Sequence, residues 1–216
     1  MARKTPHSKS AKSVREVVRD ESRAVYRGAI LEAAERVIGR LGFTGAKMAD
    51  IAAEAGVAAG TLYNYFKNKD EVFESILIRG HEHLFGLLQL SMAIVHPLDR
   101  IRAFMTTTYQ YLEGHGALFS IYLHRGGLYE WSQQKLKESP HRELYERYDQ
   151  LMEQTLAEGV NQGLIRKDIA VDELAAMFAG ISDAQIFAWI RRGYASDLSA
   201  KIDILLDMFL KGAQAA

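Results

Sequence analysis

The 216-residue chain contains no cysteine. Disulfide staples, thiol nucleophiles and cysteine-ligated zinc are excluded at once. It has only three prolines, so little in it interrupts helices. No apolar run approaches the roughly 20 residues that a membrane-spanning helix needs. The basic, polar start has no apolar segment to serve as a secretory leader, so a cytoplasmic protein with no membrane partner is expected. Catalytic signatures are missing too: there is no Gly-x-Ser-x-Gly elbow, no P-loop and no Gly-x-Gly-x-x-Gly. The histidines, at His7, His81, His83, His96, His115, His124 and His141, include no His-x-x-x-His pair. No metal site, no cofactor and no enzymatic activity are expected.

Net charge is also absent, with 27 basic residues against 27 acidic ones, but the balance conceals an asymmetry. Residues 1–70 carry 13 Lys/Arg and 8 Asp/Glu, while residues 71–216 carry 14 and 19. One end of the chain is therefore the end that would meet a polyanion.

What remains is helix-forming sequence, and an all-α fold is expected. Residues 1–21 read as a basic, partly disordered arm that includes Arg3, Lys4, Lys9 and Lys12. From about Ser22 the apolar positions Ile30, Leu31, Ala34, Val37, Ile38 and Leu41 recur at helical spacing. Gly42 is the natural stop. Two short helices follow, at about 47–55 and 58–66, joined at Gly56. A longer one runs from about Asp70 to Val95, ahead of His96-Pro97. Further helices are expected at about 98–114, 117–125, 140–162, 171–193 and 197–211.

Two short helices joined at a glycine form the helix-turn-helix pattern. Gly56 permits the sharp reversal. Burying Leu62 and Phe66 would turn Thr61, Asn64 and Tyr65 outward, on a helix able to lie in a DNA major groove. A plain helical hairpin in a bundle core would share these features.

More than the junction is present. The run Gly42-Phe43, Asp50-Ile51-Ala52, Ala55-Gly56-Val57, Gly60-Thr61-Leu62-Tyr63-Asn64-Tyr65-Phe66 and Lys69-Asp70-Glu71 closely resembles the DNA-binding domain of the tetracycline-repressor (TetR) family. Ile30-Leu31-Glu32-Ala33-Ala34 is similar to that family's first helix, and the match spans roughly residues 23–75. The resemblance implies a three-helix DNA-binding domain over 22–70, then a helical effector-binding and dimerisation domain over 71–216. It implies that Thr61 and Asn64 meet base edges, Asn being able to bond adenine twice. Gly60 would let the backbone come close to DNA. Tyr63, Tyr65 and Lys69 would contact phosphates, which position a protein without reading sequence.

The sequence departs from the family pattern in two places. Ala46 and Lys47 stand where hydroxyl residues usually open the first short helix. Either Thr44 caps it instead or the cap is absent at a cost of about 1 kcal/mol, and Lys47 would bring a charged phosphate contact. Ala58 stands where a serine usually caps the recognition helix. Both changes keep open the alternative of a helical small-molecule-binding protein that no longer recognises an operator.

The second domain is rich in aromatics, and Phe104, Tyr122, Tyr148 and Phe187 are the candidate effector contacts. Simple core packing is the competing reading of each. The resemblance further implies that the last two helices pair with their copies across a two-fold axis, through Leu174, Phe178, Ile181, Leu205, Met208 and Phe209. A two-fold homodimer matches a palindromic operator in double-stranded DNA. The expected function is a ligand-responsive transcriptional repressor, released from its operator by a small, largely apolar or aromatic effector.

Overall fold

A computed structural model describes residues 13–122, 142–194 and 196–213; the side chains of Val14, Glu16, Val17, 117–122, Leu144, Tyr145 and Ala213 are outside it. All of its regular elements are helices, and the chain divides between Ser75 and Ile76 into two compact units.

The first unit opens with α1, Val14–Gly45, whose backbone leaves helical geometry at Gly42 (φ 70°, ψ 164°). The left-handed φ is open to glycine and resisted by residues with a β-carbon, so the expected stop is where the regular helix ends. The start differs from expectation. The arm assigned to residues 1–21 is helical from Val14, because nothing from Val14 to Tyr26 is a glycine or proline and arginine, glutamate and alanine favour helix.

Next come α2, Met48–Glu54, and α3, Ala59–Tyr63, followed by α4, Lys69–Ser91. Recognition helix α3 is shorter than the expected 58–66, and a turn carries the chain from Asn64 to Phe66. Ile30, Ala33, Ala34, Val37 and Ile38 of α1 are buried, as are Ile51, Ala52, Leu62, Phe66, Val72 and Phe73 of the segments that follow. Leu41, in the last turn of the same stripe, remains 46% exposed.

The division between the units falls inside α4. The helix ends at Ser91 rather than near Val95. There the buried guanidinium of Arg100 takes the Ile94 carbonyl from both Nε (3.0 Å) and Nη2 (2.8 Å), closing the turn ahead of Pro97. In the second unit α5 is Pro97–Tyr122, broken at His115 (φ −125°, ψ 17°), the point between the two segments expected there. Helices α6, Arg142–Asn161, and α7, Val171–Arg191, are followed by a 3-10 turn, Ser199–Lys201, and α8, Ile202–Ala213. Leu84, Leu88, Ile101, Met105, Tyr109, Leu156, Leu174, Trp189, Leu206 and Phe209 belong to one apolar core.

Candidate nucleic-acid interface and effector region

The turn between α2 and α3 is fixed by the backbone. Gly56, at φ 67°, donates its N–H to Ala53 O at 3.2 Å, and Val57 donates to Ala52 O at 3.0 Å. These two bonds satisfy the last carbonyls of α2 in the pattern that a left-handed glycine allows. Two ion pairs brace α2 against α1: Glu54 accepts from Arg36 Nε at 2.8 Å and from Arg40 Nη2 at 3.3 Å. Those hydrogen bonds hold the Glu54 carboxyl below its ordinary pKa.

The start of α2 corrects an expectation. Thr44 does not cap it; Lys47 occupies the N-cap position. The Asp50 carboxylate reaches back to accept from Lys47 N–H at 3.0 Å, half of a capping box. A missing hydroxyl at position 46 or 47 therefore leaves the helix capped by other means. Ala58, at the N-cap of α3, supplies no side-chain bond. At the start of α4, Asn68 Oδ1 accepts from Glu71 N–H (2.8 Å), and Glu71 Oε2 accepts from Lys67 N–H (2.7 Å).

With Leu62 and Phe66 buried, the opposite side of α3 faces outward. Gly60, Tyr63 and Asn64 are exposed, as are Thr44 and Lys47, while Thr61 and Tyr65 are half-buried. Gly60 has no internal reason to be glycine, because a β-carbon there would meet no atom within 4 Å. Its bareness matters only to something that approaches from outside.

Lys69 is placed differently from the expected phosphate contact. Its ammonium donates to Phe43 O at 2.5 Å and Ala46 O at 2.7 Å, and it lies 4.4 Å from the Phe43 ring centroid. The charge serves the carbonyls freed where the chain turns after Gly42. A basic residue that the sequence pattern does not single out, Arg27, holds the far end of the motif. Its Nη2 donates to Ser75 Oγ at 2.7 Å, and its guanidinium covers the Phe66 ring at 4.4 Å. The sequence offers no sign of this beyond position, since Arg27 sits one helical turn from Ile30.

The expected effector contacts scatter. Phe104 is core. Tyr148 is half-buried, its hydroxyl donating to His81 O at 2.6 Å, and burial pushes that hydroxyl above the ordinary phenol range. Phe187 is half-buried on α7, and the side chain of Tyr122 lies outside the described residues. A cleft of about 670 Å³ is lined instead by Gln110, Glu113, Trp189, Tyr194, Ser196, Asp197 and Ser199. Glu113 caps the turn beside it, accepting from Leu198 N–H at 2.6 Å and Ser199 Oγ at 2.8 Å. Among the described residues no group of three His, Asp or Glu is placed to hold a metal ion; His7, His124 and His141 lie outside them. No described helix is long and apolar enough to cross a membrane.

The residues expected at the dimer interface divide between the protomer's core and its surface. Leu174, Phe178, Leu205 and Phe209 pack in the core of the protomer, Phe178 and Phe209 edge to face at 5.3 Å between centroids. Ile181 packs against that core half-buried. Of the named residues on these helices, Met208 is the exposed one, at 64%. The large apolar side chains that α7 and α8 present to solvent are Met177, Ile204 and Met208.

Comparison with known proteins agrees with this geometry. Residues 30–76 match the family described as "Bacterial regulatory proteins, tetR family", and residues 130–212 match "YsiA-like protein, C-terminal region". Together these ranges span more than half of the chain. The chain is 25% identical over 189 residues to the fatty acid metabolism regulator protein of Bacillus subtilis, covering 85% of this chain and 93% of the relative. It is 26% identical over 151 residues to the HTH-type transcriptional repressor KstR2 of Mycobacterium tuberculosis, covering 68% and 72%. The crystal structure of FadR from Bacillus subtilis in complex with stearoyl-CoA superposes with a TM-score of 0.68 at 24% identity, over 85% of this chain and 97% of that one. The SmeT–triclosan complex gives 0.69 at 23% identity, over 88% and 92%. At these identities the structural likenesses establish the shared fold.

Proposed function

Because the chain belongs to the TetR family of bacterial regulatory proteins, we propose that it is a cytoplasmic repressor released from a palindromic operator by a largely apolar effector. Family membership makes it a ligand-responsive DNA-binding regulator, and the repressor and its effector class are the further step. The observation that carries the DNA half is the outward side of α3 and its C-cap, where Tyr63 and Asn64 are exposed and Thr61 half-buried while Leu62 and Phe66 are buried. Gly60 beside them is bare without internal need. The second domain is read as the sensor that responds to the effector.

The effector class is supported by the relatives. One is named for fatty acid metabolism, and a structure sharing the fold holds stearoyl-CoA. A long-chain acyl-CoA is therefore the first effector to try, with its apolar chain seated among the aromatics of the second domain.

The experiment selects binding sites from random duplexes and measures affinity for the selected operator with and without stearoyl-CoA. A palindromic consensus whose complex dissociates on adding the acyl-CoA supports the proposal. Selection of no sequence would remove the repressor reading; an operator complex indifferent to acyl-CoA would remove only the effector class. In the same assay Asn64→Ala should cost about 1–3 kcal/mol of discrimination between operator and random DNA, as removal of a two-point bond to a base does. An equal reduction on both DNAs would take Asn64 off the base-reading face.

A further inference from the structure

We infer that the first turns of α1, ahead of the packed part of that helix, form a second DNA-contacting element that grips the phosphate backbone beside the groove occupied by α3. This rests on the DNA-binding reading above. Every residue from Val18 to Tyr26 is exposed. A helix with no packed face is marginal by itself, since most helical stability comes from burying one side. Here the sequence maintains more than two such turns, continuous with the packed half of α1 that begins at Ile30.

What the exposed turns carry is ordered. Arg15, Arg19 and Arg23 lie four residues apart, and that spacing places them on one side of the helix. At 100° per residue Tyr26 falls within this arc, Ser22 borders it on one side and Glu16 on the other, Asp20 lies further round and Glu21 lies on the opposite side. The stripe leads to the recognition element. The Arg23 guanidinium lies 5.8 Å from the centroid of the Tyr65 ring. One turn further on, Arg27 Nη1 donates to Tyr65 O at 3.5 Å. The arginine face and the end of the helix-turn-helix are thus one continuous surface, in the half of the chain where basic residues outnumber acidic ones.

The partner this surface fits is regularly spaced negative charge. From Arg15 to Arg23 the stripe is about 12 Å long at the rise of an α-helix. A DNA strand offers a phosphate per about 3.4 Å of axis, so three arginines can each meet one along three or four nucleotides. Such bonds add affinity and length of footprint without adding sequence information. The exposed valines at 18 and 25, 55% and 73% exposed, lie beside the stripe and make a second copy of the chain the competing occupant.

The test measures binding of the full chain to a mixed-sequence duplex of about 30 base pairs as a function of salt. The substitutions are Arg15→Gln, Arg19→Gln and Arg23→Gln together, and the same three positions changed to lysine. Both sets sit on an exposed helix and replace one good helix former by another, so circular dichroism should be unchanged. With glutamine, the slope of log affinity against log salt should become shallower by about 0.9 for each phosphate that is no longer neutralised, two to three units per protomer. Affinity at about 0.1 M salt should fall tenfold or more. The lysine set should keep the slope, because the charge is retained. An unchanged slope in the glutamine set, with wild type binding the duplex, overturns the inference and leaves the DNA-binding reading standing. So does a lysine set as weak as the glutamine set, or a glutamine set that alters only sedimentation. A wild-type chain that does not bind the duplex at low salt overturns both.

Discussion

Lys69 shows how a side chain expected at one partner can serve another within the fold. A lysine opening a helix next to a DNA-reading motif is an ordinary phosphate ligand. In the fold its ammonium sits between the Phe43 and Ala46 carbonyls, because Gly42 ends the regular part of α1 and leaves those oxygens without helical donors. Lys69→Met keeps the stem and removes the donor. It should destabilise the free protein by about 1–3 kcal/mol, the range for removing charged hydrogen bonds to partly buried carbonyls. Urea denaturation without DNA checks this, and an unchanged midpoint would return Lys69 to the phosphate ligands. Arg27 teaches the complementary lesson. Its charge counts toward the basic balance of residues 1–70, yet it is tied to Ser75, 48 residues on. Pairing at such distance leaves no local signature.

At the scale of elements, periodicity located the helices well, because burial repeats every three to four residues whatever the partner. It located Gly42 and Gly56 for the same kind of reason, since left-handed φ selects residue type. It could not say which apolar side meets the protomer's own core and which meets a copy. Leu205 and Ile204 are adjacent on α8, both apolar, and only the fold shows Leu205 at 8% exposure and Ile204 at 60%. The dimer surface is therefore tested at Ile204 and Met208. Ile204→Glu with Met208→Glu should give folded monomers by sedimentation, because both side chains already face water in the protomer. A dimer that persists would place the interface elsewhere. Leu205→Glu would test folding instead.

Helix α4 gives a second prediction at this scale. A β-carbon on Gly80 would come within 2.9 Å of Tyr111 Oη, while one on Gly86 would meet nothing within 4 Å. Gly86→Ala should therefore stabilise by about 0.5–1 kcal/mol, the helical preference of alanine over glycine, and raise the melting midpoint by about 1–4 °C. The same change at Gly80 must displace the Tyr111 ring, which stacks on His115 at 4.2 Å, and should gain less. An equal gain at both sites in thermal melts would show that Tyr111 yields without cost.

For the whole molecule, a ligand-responsive DNA-binding regulator needs a coupling between its two recognition tasks. In the second unit, α4 is held by side chains of its neighbours: Tyr148 of α6 bonds the His81 carbonyl, and Tyr111 of α5 lies against Gly80. A ligand that binds one arrangement of these neighbours better than another shifts the population; a ligand that binds both equally shifts nothing, however tightly it is held. The coupling free energy is shared by both sites. If stearoyl-CoA weakens operator affinity by some factor, saturating operator must weaken stearoyl-CoA affinity by the same factor, expected at about 5–150-fold. Calorimetric titrations of the acyl-CoA into the free protein and into its operator complex measure one side, and operator titrations with and without acyl-CoA measure the other. Identical acyl-CoA affinity in the two titrations would mean zero coupling, so that the acyl-CoA does not release the operator even where both partners bind well. Tyr148→Phe removes one hold on α4 without changing the ring, so it should alter the coupling factor more than it alters either affinity measured alone.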